Sequence, residues 1–146
     1  MPKRISYQLK EEARVLALKP FSLNEIVGVV FRGKYWVDGV LVIRFKDKVS
    51  SEKLARAIIS SKYFHELRIL LFDYDMPQID IHIVYETTKL PVIRVDCLGS
   101  VEASAGIDYL SALQALRSLV LDDVIQPLYF LRALTRNLRC TGILII

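Results

Sequence analysis

The sequence predicts a mixed α/β domain in which a three-strand meander leads into parallel crossovers, with helices flanking the sheet. Three stretches carry that expectation. "EIVGVVFRGKYWVDGVLVIRF" is dense in Val, Ile and aromatic residues and is broken once by Gly33-Lys34, as a long hairpin requires. "LRILLFD" is a continuous apolar run, the pattern of a strand buried on both faces. Between them, "SSEKLARAIISSK" begins with serine and sets Leu54, Ala57 and Ile58 at the spacing of an amphipathic helix.

The remaining elements follow in order. "ARVLAL", Ala13 to Leu18, reads as a short buried strand ended by Pro20, which has no N–H for a sheet ladder. The hairpin strands fall at Ile26–Arg32 and Tyr35–Phe45. Residues Gln78 to Thr88 read as a helix, although "IDIHIVYE" also fits a strand. "PVIRV" is a further buried strand. Helical spacing returns at Leu110, Leu113, Leu116 and Val120, and again at Leu128, Leu131, Leu134 and Leu138. The final "GILII" is expected to add an edge strand able to pair with a second copy.

A chain of 146 residues is expected to form one domain, residues 1–146, with a core that needs neither disulfide nor structural metal. Hydrophobic residues make up 53% of it, yet no run approaches the roughly 20 that a membrane helix needs. The opening "MPKRISYQLKEEAR" lacks the apolar core of a signal peptide, so a cytoplasmic protein without membrane contact is expected. Cys97 and Cys140 form no CxxC pair and have no histidines at ligand spacing, which argues against zinc and predicts two buried thiols. With only His65 and His82, a hydrolytic triad is disfavoured, and no glycine loop for phosphate is present. The net charge of +4 is concentrated early: ten Lys/Arg against five Asp/Glu in residues 1–50. That balance permits contact with nucleic acid without requiring it.

The chemistry-bearing stretch is "LLFDYDMPQID", where an apolar strand runs into Asp73, Asp75 and Asp80. Strand, hairpin, helix, strand, helix, strand and helices is the order of the ribonuclease H-like plan. In open α/β sheets, ligands sit at the carboxyl ends of strands where strand order reverses, here between the first strand and "LRILLFD". Asp73 lies on that edge and is the candidate catalytic residue.

Four blocks in order, "VVFRGKYWVDGVLVIRF", "SSKYFHELRILLFD", "YETTKLPVIRV" and "IQPLYFLRALTR", resemble an archaeal family of uncharacterised proteins related to endonuclease V. The resemblance spans about Arg14 to Arg136 and rests on the order and spacing of the blocks. It implies a ribonuclease H-like fold and kinship with nucleases that use Mg²⁺ or Mn²⁺ to cut beside damaged or inosine-containing sites. The family pattern has an acidic turn after the first strand, before Pro-Phe. This chain reads "VLALKPFS", so Lys19 stands at the substituted metal-site position. The glutamate of endonuclease V at the end of the long hairpin strand falls near Phe45, and "DYDMPQ" is shorter than the family's glycine-containing loop. Only Asp73 has a clear counterpart.

Cleavage assisted by two metals needs ions about 3.5–4 Å apart between shared carboxylates, and Asp73 alone supplies too little charge. An ammonium about 4 Å from a carboxylate gains roughly 4 kcal/mol at an effective dielectric near 20, which favours an ion pair over a bound cation. Lys19 is therefore expected to pair with Asp73 or Asp75 in place of a metal. Asp38 in "VDGV" reads as a strand-edge or bulge residue beside Gly39, and Asp80 as a helix cap. Arg132, Arg136 and Arg139 recur at i, i+4 and i+7, one helix side that suits successive phosphates or a solvated face near a helix C-terminus. Lys3, Arg4, Lys10, Lys46 and Lys48 can extend a basic surface, and Tyr35 and Trp36 are either stacking planes or core and interface residues.

The expected function is that of an endonuclease V-like protein that has lost metal-dependent cleavage, needs no cofactor, and is retained as a nucleic-acid-binding or assembly module. Two alternatives stand beside it: an active Mg²⁺- or Mn²⁺-dependent endonuclease built around Asp73, and a structural subunit without nucleic-acid binding that pairs as a homodimer.

Overall fold

Alternation along the first strands decides the architecture, because side chains of neighbouring residues leave a strand on opposite faces. The computed structural model describes Lys10, residues 12–76 and residues 79–141, with side chains through residue 138. Arg14–Ser22 (β1), Glu25–Arg32 (β2) and Trp36–Arg44 (β3) form the antiparallel meander. Ser51–Ser60 (α1) follows, its cap Ser50 accepting a hydrogen bond from Lys53 N. Leu67–Phe72 (β4) then runs parallel to β1. Ile81–Thr88 (α2) leads to Val92–Val95 (β5), parallel to β4, and Val101–Ala105 (β6) returns antiparallel. Tyr109–Arg117 (α3), a small hairpin of Val120–Leu121 (β7) and Val124–Ile125 (β8), and Gln126–Thr141 (α4) complete the order.

The result is a six-stranded mixed sheet, β3-β2-β1-β4-β5-β6, flanked by four helices. Its two faces sort by parity. Leu16, Leu18, Ile26, Val30, Leu70, Phe72 and Val92 pack under α1 and α2, meeting Leu54, Ile58, Ile81 and Val84. Val15, Ala17, Val27, Val29, Ile69, Leu71 and Ile93 pack under α3 and α4, meeting Ala112, Ala115, Leu116, Leu128 and Leu131. β4 is buried on both sides, as its unbroken apolar run requires.

Several expectations change in detail. β1 continues through Pro20 to Ser22, because beyond Leu18 the strand has no β4 partner and keeps only β2 on its other side. Such one-sided positions tolerate proline. β6 and the β7–β8 hairpin were not expected, and Val120 belongs to β7 rather than to the preceding helix. The hairpin turns through Asp122 and Asp123, both at positive φ, the conformation that closes a two-residue hairpin but is usually signalled by Asn-Gly. α2 begins at Ile81 with Asp80 as its cap, and Asp80 N donates to Ser51 Oγ at 2.8 Å. Cys97 is exposed instead of buried. The side chains of Cys140 and Arg139, and the whole of "GILII", lie outside the described residues.

Asp38 is the extra residue of a bulge between the pairs Val30–Gly39 and Phe31–Val37. It is clamped by Arg14 Nε at 2.7 Å and Arg32 Nη2 at 3.1 Å, at the end of the sheet away from Asp73.

Gly106 links β6 to α3 at φ +74°, and an added Cβ there would run into the ring of Tyr85 on α2. Gly106→Ala is expected to destabilise the fold by about 1–3 kcal/mol, read as a lowered urea midpoint with an unchanged slope. An unchanged midpoint would contradict the close packing of Gly106 against Tyr85.

Candidate functional site

Register brings the charged residues together. Leu18 pairs with Phe72 across β1 and β4, so the next residue of each chain segment, Lys19 and Asp73, turns toward the face that carries α4. Asp73 N donates to Leu18 O at 3.0 Å, extending the parallel ladder by one bond. Asp73 is fully buried and Lys19 nearly so, its side chain 10% exposed.

Three elements neutralise the buried carboxylate. Arg132 of α4 grips it with two parallel bonds, Nε to Oδ2 at 2.9 Å and Nη2 to Oδ1 at 2.6 Å. Tyr74 N donates to Oδ1 at 2.8 Å. Lys19 Nζ stands 3.5 Å from Asp73 Oδ2 and bonds Asp75 Oδ2 at 2.5 Å. The Tyr74 ring lies beneath both cations, 5.1 Å from Lys19 Nζ and 5.6 Å from the Arg132 guanidinium. Asp75 Oδ1 is buried without a hydrogen-bond partner.

Burial alone would push the Asp73 carboxyl up, but the bonds from Arg132 and Tyr74 N, with the charges of Arg132 and Lys19, hold it below the ordinary value of 3.8. Asp73 in turn raises Arg132 above its usual value. The pair is therefore ionised on both sides.

The structure thus separates residues that the helical spacing had grouped. Arg132 faces inward onto Asp73, whereas Arg136 is exposed. The sequence does carry a signal for this: Arg132 follows buried Leu131 and stands four residues after buried Leu128, at the margin of the apolar stripe. Tyr74 had no comparable signal, since its role depends on two cations brought in from distant segments. Trp36 and Tyr35 stand exposed at the meander tip, and Asp80 is occupied as a cap.

The donor set does not fit a divalent ion. Both oxygens of Asp73 accept from a guanidinium, one oxygen of Asp75 holds an ammonium, and an incoming Mg²⁺ or Mn²⁺ would meet two fixed positive charges. Among the described residues no group of three or more His, Cys, Asp or Glu side chains is placed to hold a metal. No described helix is long and apolar enough to cross a membrane.

No family model matches the chain. It is similar to archaeal proteins named UPF0215. One from Methanosarcina barkeri is 36% identical over 101 residues, 62% of this chain and 52% of that one. One from Methanopyrus kandleri is 32% identical over 118 residues, 69% of this chain and 60% of that one. The chain spans about half the length of the curated relatives it matches. The crystal structure of a protein of unknown function from Archaeoglobus fulgidus shares the fold with a TM-score of 0.69 at 16% identity, covering 86% of this chain and 97% of that chain.

A carboxyl whose folded-state pKa is depressed stabilises the fold above its unfolded pKa and ceases to do so as pH falls through the folded value. Asp73→Asn is therefore expected to cost about 3 kcal/mol near pH 7, a gap to the wild type that closes below about pH 4. Urea titrations across pH measure it. A gap independent of pH would show that the charge of Asp73 does not stabilise the fold.

Proposed function

We propose that the chain is a ribonuclease H-like domain, akin to endonuclease V, that binds or assembles without cutting. One observation carries this reading: the bidentate grip of Arg132 on Asp73, with Lys19 beside it, sets fixed cations where a nuclease of that plan would gather metal. The fold supports the plan. In the order β3-β2-β1-β4-β5 only β2 runs against the others, and the crossovers place Asp73 where strand order reverses.

A polyanionic partner is supported by a second group of cations. β3 runs in the direction of β1, so the loop after it emerges on the same sheet edge as Asp73. There Lys46, Lys48 and Lys53 line an open depression with Leu23, Asn24, Asp47 and Ser50. Together with exposed Arg136 they offer phosphate contacts that carry no sequence information.

Three measurements test the reading. Titration with Mn²⁺ is expected to give no site-specific binding, and inosine-containing strands are expected to stay intact with Mn²⁺. Cleavage abolished by Asp73→Asn would overturn the proposal and make the protein an enzyme. Binding to single- or double-stranded nucleic acid is expected to weaken with salt, and Arg136→Glu or Lys48→Glu should each lower the log–log salt slope by about one. Binding that ignores salt and both substitutions would remove nucleic acid as the partner.

A further inference from the structure

Two exposed tyrosines flank Arg132 at the sheet edge that carries Asp73. Tyr74 follows β4 directly, and although Lys19 Nζ and the Arg132 guanidinium stand over its ring, the residue is 45% exposed. Tyr129 lies three residues before Arg132 on α4, hence on the same side of that helix, and is 60% exposed. Tyr129 and Arg132 together line a cavity of about 280 Å³ between α4, the β5–β6 turn at Leu98 and Gly99, and the β7–β8 hairpin. Since β5 runs parallel to β4, this cavity opens on the same edge as Asp73.

The chemistry of the cavity selects what enters it. Its walls are apolar at Leu98, Ile125 and Leu128. Asp123, exposed where it lines the cavity, repels a phosphate but accepts a hydrogen bond from the exocyclic amino group of a base. Arg132 spends Nε and Nη2 on Asp73, which among the described residues leaves Nη1 to donate to a base carbonyl. A planar ring with polar edges satisfies all three demands, whereas a backbone phosphate meets only the last. Cations suited to the backbone stand elsewhere on the same edge, at Lys46, Lys48 and Lys53 beyond β3. β3 and β5 are four strand spacings apart, roughly 19 Å, a distance that a few nucleotides of single strand cover.

We propose that this edge binds a single strand in preference to a duplex, with unpaired bases stacked on Tyr74 and Tyr129 and the phosphates carried by Lys46, Lys48 and Lys53. Stacking on protein rings needs bases released from their neighbours, which a single strand supplies and a duplex yields only by unstacking. The lysines alone would not distinguish the two, because both forms present phosphates. Tyr35 and Trp36 are exposed at the other end of the sheet and form no part of this surface.

The inference rests on the nucleic-acid reading proposed above. Fluorescence anisotropy tests it with a labelled single strand of mixed sequence and the same strand annealed to its complement, at one salt concentration. The wild type is expected to bind the single strand about tenfold more tightly than the duplex. Tyr74→Ala and Tyr129→Ala, with folding checked by circular dichroism, should each weaken single-strand binding about fivefold or more and leave duplex binding unchanged. Tyr74→Phe and Tyr129→Phe should keep the wild-type affinity, and Trp36→Ala should change neither form. Equal affinity for strand and duplex, or a loss at Trp36→Ala that matches the loss at the two tyrosines, overturns the inference. Salt-sensitive binding of both forms that ignores Tyr74→Ala and Tyr129→Ala refutes the stacking alone and leaves the function proposed above standing. Binding to neither form removes nucleic acid as the partner, and this inference with it.

Discussion

The structure depends on one buried carboxylate. Asp73 sits at the end of a strand enclosed on both faces, where an unpaired charge would be intolerable. Two cations from opposite ends of the sequence meet that demand: Lys19 comes from the first strand and Arg132 from the last helix. Their convergence fixes α4 against the sheet edge and determines what the edge can bind. A buried ion pair of this kind contributes little net stability compared with a well-packed apolar substitute. Its significance lies in orientation, because a guanidinium forked onto a carboxylate sets both position and angle.

Much of the fold was legible in the chain. The apolar run of β4, the hairpin broken at Gly33-Lys34 and the serine-capped α1 each carry a local pattern strong enough to survive packing. What was missed obeys weaker rules. β6 reads "VEASA", too small and too mixed to announce a strand, and exists because β5 leaves an edge for it. The β7–β8 hairpin closes on two aspartates in a conformation that ordinarily calls for glycine.

The site was legible in part. Lys19 stood out because "LALKPFS" puts a cation in an apolar strand, and strand parity alone directs it toward the end of β4. The place of Arg132 depended on which side of a helix meets the sheet, and a period of three to four residues leaves two or three neighbouring stripes open to that role. The stacking of Tyr74 beneath both cations is a purely tertiary effect. The donor chemistry at Asp73 likewise could be weighed only once its two oxygens were seen to be occupied by Arg132.

The long reach of the Arg132–Asp73 pair, 59 residues along the chain, bears on how the protein is made. The meander is complete at Arg44, yet the apolar face that includes Val15, Ala17, Val27 and Val29 receives its cover from a helix that starts at Gln126. At translation rates of 5–20 residues per second, that surface waits on the order of ten seconds outside the ribosome before its lid is synthesised. A nascent chain with a half-dressed sheet is a natural client for chaperones until the helix that carries Arg132 emerges to cover that face.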